Sequence, residues 1–372
     1  MLQRQKKNLF QDRSENSTIH IMNFVPEMTT EVNTPTKEEF NMETHYEALG
    51  NFREEIPKYL KDVLAQKEAK KGVRQESSFY LNSSDSLETL LESNFSGSRV
   101  LTVSGSGEFS HAFINGGASE VCCFDISPAA AFYSELRHIS LCTLEMNEYI
   151  ELFGGWIKGE GGKRGAPFIN KVIYQKVQDH LSEEARVYFS SLFQTPKLIN
   201  YTGEDSWYGF SRLRMNNKTR CNRVIGDLIS QEGEYKALQE KAKKVKFTQV
   251  ICDVSDMEDL VKSYKPGLIY ISNIGYRPNV TVDIAKKYID AGVKEVMCTI
   301  SSNESEFNDP FSRRTDSYDN FYYDDKLLSK GTVIPYTLYN RETGSSQNVP
   351  IEIVGTDKNA DYGLTLKLIK PK

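Results

Sequence analysis

The stretch from Arg99 to Ser127, RVLTVSGSGEFSHAFINGGASEVCCFDIS, limits the possible folds of this chain more than any other. Arg99-Val100-Leu101-Thr102-Val103 is a β-branched, apolar run of the kind that forms a strand buried on both faces. Ser104-Gly105-Ser106-Gly107 follows without a spacer, and Glu108 to Asn115 reads as a helix that stops at Gly116-Gly117. Val121-Cys122-Cys123-Phe124 is a second buried strand, closed by Asp125, twenty residues after Gly105. Glycines let backbone N–H groups approach a ligand at a helix N-terminus, and an acid after the next strand can accept from both ribose hydroxyls. The pattern predicts a nucleoside site built from Ser104, Gly105, Ser106, Gly107, Asp125 and the adjoining Ile126.

Two residues bear on which nucleoside. A dinucleotide fingerprint calls for a third glycine at position 110, which here is Ser110, and Glu108 at the helix start would oppose a pyrophosphate. S-adenosylmethionine (SAM) carries no phosphate, and its ammonium and sulfonium tolerate a carboxylate nearby. SAM is therefore the expected cofactor, with a dinucleotide or a merely structural turn as the alternatives. Ser127 and Pro128 begin the next helix as N-cap and first helical residue. Beyond its first turn that helix, running to about Leu144, is expected simply to pack onto the sheet.

The totals exclude several classes. The 372 residues suffice for one large domain or two moderate ones, and a net charge of −5 offers no basic field for nucleic acid. No run of eighteen apolar residues occurs and the first ten residues lack a signal-peptide core, so a cytoplasmic protein without an integral membrane segment is expected. The six cysteines and five histidines show no ligand spacing, so no metal site is expected; Cys122, Cys123, Cys252 and Cys298 read as buried core residues.

Residues 1–40 are polar and aperiodic and read as a flexible arm. Within residues 41–98, a helical cover, Glu43 to Glu68 is expected to be mostly helical, broken at Gly50 and Pro57, and Ser86 to Ser93 to form a short helix. The α/β domain then occupies 99–372, interrupted by an insertion at 145–244 too long for a structureless loop. That insertion opens on the glycine-rich 153–168, a loop over the site or a plain connector, and continues as helices over Ile169–His180 and from the N-cap Ser182 to about Phe193. Trp207 to Arg214, aromatics beside cations, would line an acceptor pocket or form a surface turn.

The sheet resumes at Val245–Ile251. Asp253 and Val254 after it are placed either to read an adenine edge or, for Asp253, to cap a turn near Ser255. Leu268–Ile271 is a further strand, followed by Ser272, Asn273 and Tyr276 at the end where parallel sheets bind ligands. After a helix over Val280–Ala291 and a strand over Lys294–Ile300 comes a polar loop with Arg313 and Arg314. Thr332–Asn340, Ile351–Val354 and Leu364–Ile369 are read as antiparallel strands. The fold class expected is α/β: a Rossmann-like class I SAM-dependent methyltransferase fold, mostly parallel, with antiparallel C-terminal strands and a helical insertion.

The 99–127 segment, ISNIGY at 271–276 and HLSEEARVYF at 180–189 together resemble the betaine-lipid-synthase group over roughly residues 95–300. Members of that group move the 3-amino-3-carboxypropyl group of SAM onto diacylglycerol. The resemblance implies the same transfer here, releasing methylthioadenosine, to a small-molecule acceptor of unspecified identity. Ser104 stands where SAM enzymes often carry an acid. Asn273 and Tyr276 are expected to hold the reacting end, with Ser272 orienting the amino-acid moiety. Methyl transfer is the runner-up, and a SAM-binding regulator or a NAD-dependent oxidoreductase the distant alternatives.

Overall fold

A computed structural model of the chain describes residues 42–46, 53–56, 58, 87–153, 171–194, 231–272, 278–300, 311–314, 320–323, 326–339, 345–356 and 364–369. In chain order its strands are β1 (Met42–His45), β2 (Arg99–Val103), β3 (Glu120–Asp125), β4 (Lys246–Ile251), β5 (Leu268–Ser272), β6 (Glu295–Ile300), β7 (Phe311–Arg314), β8 (Asn320–Tyr323), β9 (Lys326–Leu327), β10 (Val333–Tyr339), β11 (Ser346–Thr356) and β12 (Leu364–Ile369). The helices are α1 (Glu88–Leu91), α2 (Glu108–Asn115), α3 (Pro128–Thr143), α4 (Met146–Phe153), α5 (Lys171–Val177), α6 (Glu183–Gln194), α7 (Glu232–Lys244), α8 (Glu258–Tyr264) and α9 (Pro278–Asp290).

Nine strands form one sheet in the order β1-β4-β3-β2-β5-β6-β12-β11-β10. Every pairing from β1 to β6 is parallel, and β12, β11 and β10 are added antiparallel. The chain steps from β2 to β3 and β4 on one side, then returns to place β5 on the other side of β2. That reversal opens a crevice at the carboxyl ends of β2 and β5, the place where open α/β sheets take ligands.

Strand alternation splits the core in two. Val100, Val121, Cys123, Phe247 and Tyr270 face one way, towards α2, α3 and α7. Leu101, Cys122, Phe124, Ile269 and Ile271 face the other way, where Val261 of α8 and Val282, Ala285 and Tyr288 of α9 cover them. The alternation on buried strands is what parallel strands covered on both faces require.

Helix α3 begins as the sequence indicates: the Ser127 hydroxyl accepts from Ala130 N–H at 3.3 Å, with Pro128 in the first turn. The expectation of plain packing onto the sheet is incomplete. α3 also touches α4, α5, α6 and α7, so its outward side is covered and Ser134, Glu135, Arg137 and His138 are all buried. Glu135 accepts the Tyr46 hydroxyl at 2.9 Å, and Ser182 gives it both its N–H (2.5 Å) and its hydroxyl (2.9 Å). Ser182 caps α6 as expected, accepting from Ala185 N–H at 3.3 Å. Arg53 reaches the same helix start, 2.7 Å from Glu183 and 2.8 Å from Glu184.

Two expectations are corrected. Met42–His45 is an edge strand rather than the start of a helix, because β4 offers it an open edge and pairs it from Met42–Phe247 to His45–Val250. Arg313 and Arg314 lie in β7 of a separate three-stranded antiparallel sheet, β7-β8-β9, not in a loop. The proposed arm at 1–40, the glycine-rich stretch after Phe153 and the Trp207–Arg214 segment lie outside the described residues. Among the described residues no helix is long and apolar enough to cross a membrane.

Candidate functional site

Four neighbouring strands end at the crevice, and each delivers a residue singled out in the sequence. β2 ends in the turn Ser104–Gly107, β3 in Asp125, and β5 in Ser272, while Asp253 and Val254 follow β4. Asn273 and Tyr276 lie outside the described residues.

The glycine turn is fixed from below. Gly107 N–H donates to Ser104 C=O at 2.7 Å, closing the turn, and Gly105 and Gly107 have φ of +48° and +80°. A Cβ on Gly107 would stand 3.2 Å from the Ser134 Cα and 3.2 Å from the Arg137 Cδ. The second glycine is therefore demanded both by backbone sign and by the close passage of α3. Ser104 turns its hydroxyl away under the turn, donating to Gln249 Oε1 at 3.1 Å, and both residues are buried. Ser110 donates to Gly107 C=O at 2.8 Å, filling the position where a dinucleotide fold would carry glycine.

Asp125 is bound to this turn. Its Oδ2 accepts Gly105 N–H at 3.2 Å and its Oδ1 accepts Ser127 N–H at 2.9 Å, so one carboxylate links the β2 turn to the start of α3. Burial pushes its pKa up to about 6, against the downward pull of the N–H donors of Ser127, Gly105 and Ile126. Ile126 beside it is 38% exposed, an apolar side chain standing open at the crevice.

Asp253 acts as the cap that the sequence offered as one of two readings. Its Oδ1 accepts both the N–H and the hydroxyl of Ser255, each at 2.8 Å. The short turn Val254–Asp256 is pinned by α9: the Tyr288 hydroxyl donates to Val254 C=O and accepts Met257 N–H at 3.3 Å. Ser272 is buried at the end of β5, level with Thr299 of β6.

Glu108 is where the sequence reasoning needs revision. Its side chain is 2% exposed and paired with Arg137, whose Nη1 stands 3.4 Å from Glu108 Oε1. The negative charge invoked against a pyrophosphate is therefore balanced by a buried cation. Arg137 itself was missed, since a charged residue in the middle of an apparently amphipathic helix reads as part of a solvated face. Cys122, Cys123, Cys252 and Cys298 match the core reading: all four are buried, and burial pushes Cys123, Cys252 and Cys298 up to about 12 and Cys122 up as well, so none of the four is a ready thiolate.

Comparison with protein-family models and with curated proteins finds no match to this chain. The functional reading therefore stands on the geometry and the motifs.

Proposed function

We propose that the chain is a SAM-dependent transferase that moves the 3-amino-3-carboxypropyl group to a small-molecule acceptor and releases methylthioadenosine. The observation that carries the reading is the Asp125 carboxylate, held by the Gly105 and Ser127 amides at the crevice between β2 and its neighbours. An anchored carboxylate there suits a pair of ribose hydroxyls, and the open Ile126 side chain beside it suits a flat base. The parallel run β4-β3-β2-β5-β6 with β12 antiparallel beside β6 supports the finer assignment to the class I methyltransferase-like fold.

The residues fit SAM as follows. The glycine turn would lie against the ligand's amino-acid end and offer it the Ser106 N–H, since those of Gly105 and Gly107 go to Asp125 Oδ2 and Ser104 C=O; Asp125 would accept from the ribose, and Asp253 with Val254 would border the adenine. Bound SAM supplies an electrophilic carbon next to its sulfonium. Asn273, Tyr276 and Ser272 would orient that end, and Tyr276 would also polarise the acceptor. Ser110 remains the departure from a dinucleotide site, whereas the paired Glu108 no longer argues against one.

The product decides the reading. Incubation with SAM and a cell extract, followed by mass spectrometry, should yield methylthioadenosine. S-adenosylhomocysteine instead would establish methyl transfer on the same site. Micromolar NAD binding with no response to SAM would overturn the cofactor assignment.

A further inference from the structure

An ion pair between Glu108, the first residue of α2, and Arg137 of α3 lies sealed beneath the glycine turn. The side chains of Arg137 and Glu108 are 1% and 2% exposed. Arg137 Nη1 donates to Ser106 C=O at 3.0 Å and stands 3.4 Å from Glu108 Oε1, while the Ser106 hydroxyl donates to Glu108 Oε2 at 3.1 Å. The guanidinium carbon sits 5.1 Å from the centre of the Phe153 ring and 5.7 Å from that of Tyr133. Phe153 is the last residue of α4, which lies within the helical insertion.

Packing alone does not account for this arrangement. Two apolar side chains of similar volume would fill the space without desolvating two charges, and such replacements are commonly neutral or stabilising. What a guanidinium adds is directed donors, one of which reaches the Ser106 backbone carbonyl. Fixing the Ser106 C=O fixes the peptide plane that carries the Gly107 N–H, the group that closes the turn on Ser104 C=O, and so fixes the shape of the turn.

We infer that Arg137 is a positioning residue for the ligand site: through Ser106 it holds the glycine turn in its binding shape, and through Phe153 it ties that shape to the insertion. For its effect on a ligand the inference rests on the adenosyl reading of the turn. For its effect on the turn it does not.

The test uses the full chain carrying R137M/E108Q, which removes both charges at similar volume, and R137K, which keeps a charge but loses the planar fork. Three measurements are taken: the melting temperature, hydrogen exchange at the Gly105–Gly107 amides without ligand, and calorimetric affinity for S-adenosylhomocysteine. The double variant should melt close to wild type, while exchange at the turn accelerates and affinity falls, each by about ten-fold or more; R137K should fall between. F153L should weaken affinity in the same direction by a smaller factor.

Unchanged exchange in a folded double variant would overturn the inference. Faster exchange with unaltered affinity would reduce Arg137 to a brace and overturn its positioning role. Should the double variant fail to fold, R137K supplies the same two readouts. If wild type binds no adenosyl ligand, the functional reading fails while exchange still decides whether Arg137 holds the turn.

Discussion

The Tyr46 hydroxyl donates to Glu135 Oε2 at 2.9 Å, joining the residue after the edge strand β1 to the middle of α3. The acceptor is completely buried and also takes the N–H and hydroxyl of Ser182. Three donors from two distant segments thus converge on one carboxylate, and removing one leaves the others short of nothing but Glu135 short of a bond. Tyr46→Phe should therefore cost about 1–2 kcal/mol in urea unfolding, with no loss of packed volume.

The same carboxylate sets a pH dependence. Burial pushes Glu135 up to about 7, while Ser182 and Tyr46 pull it down. A carboxyl whose folded pKa is raised contributes stability that is complete below the ordinary value of about 4.5 and is lost as pH rises through about 7. Wild type should thus lose stability relative to Glu135→Gln between those limits, by roughly 3–4 kcal/mol at most. Parallel stability profiles for the two proteins across that window would refute the assignment.

Asp125 predicts a pH effect of opposite sense, on binding. With its pKa pushed up to about 6 by burial, it accepts ribose hydroxyls fully only above that pH. Affinity for an adenosyl ligand should fall by about ten-fold per pH unit well below 6, and Asp125→Ala should lose roughly 1–3 kcal/mol of binding at neutral pH. Calorimetry at several pH values, with Asp125→Asn as a pH-insensitive reference, checks both.

The two turn glycines should respond differently to alanine. A Cβ at Gly107 meets the backbone of Ser134 at 3.2 Å with φ at +80°, whereas at Gly105 it meets the Phe109 ring at 2.9 Å with φ at +48°. A ring can rotate away and a helix backbone cannot. Gly107→Ala should cost about 2–3 kcal/mol and Gly105→Ala about 1 kcal/mol less, as read from melting temperatures. The reverse order would show that the ring, not α3, sets the limit.

Tyr288→Phe removes the hydroxyl that bridges Val254 C=O and Met257 N–H. About 1–2 kcal/mol of stability should go, and affinity for an adenosyl ligand should drop several-fold if the 254–256 turn borders the base. A stability loss with unchanged affinity would remove that turn from the site.

The parts of the fold legible in the sequence are those whose information is local. Arg99–Val103, the glycine pair, the Ser127–Pro128 start and the Ser182 cap announce themselves through residue type and immediate neighbours. Met42–His45 does not: METH carries no strand preference, and becomes a strand only because β4 leaves an edge open. Arg137 and Glu135 were hidden for a related reason. Helical periodicity assigns a face to solvent, but α3 is enclosed by the sheet and by α4, α5 and α6, so its charged residues are inside. The crevice was legible as a set of strand ends; the ion pair beneath it was not, because its partners meet only once α2 and α3 pack.

The parallel pairing of β1 with β4 has a consequence for the order of synthesis. Met42 emerges from the ribosome long before its partner Phe247, and Tyr46 long before Glu135 and Ser182. Until β4 is made, β1 has no edge to join and the bordering segment must stay unpaired. Among the described strands this edge strand is thus the first translated yet must wait for β4, and a nascent chain stalled before β4 carries an open strand that can pair with another molecule.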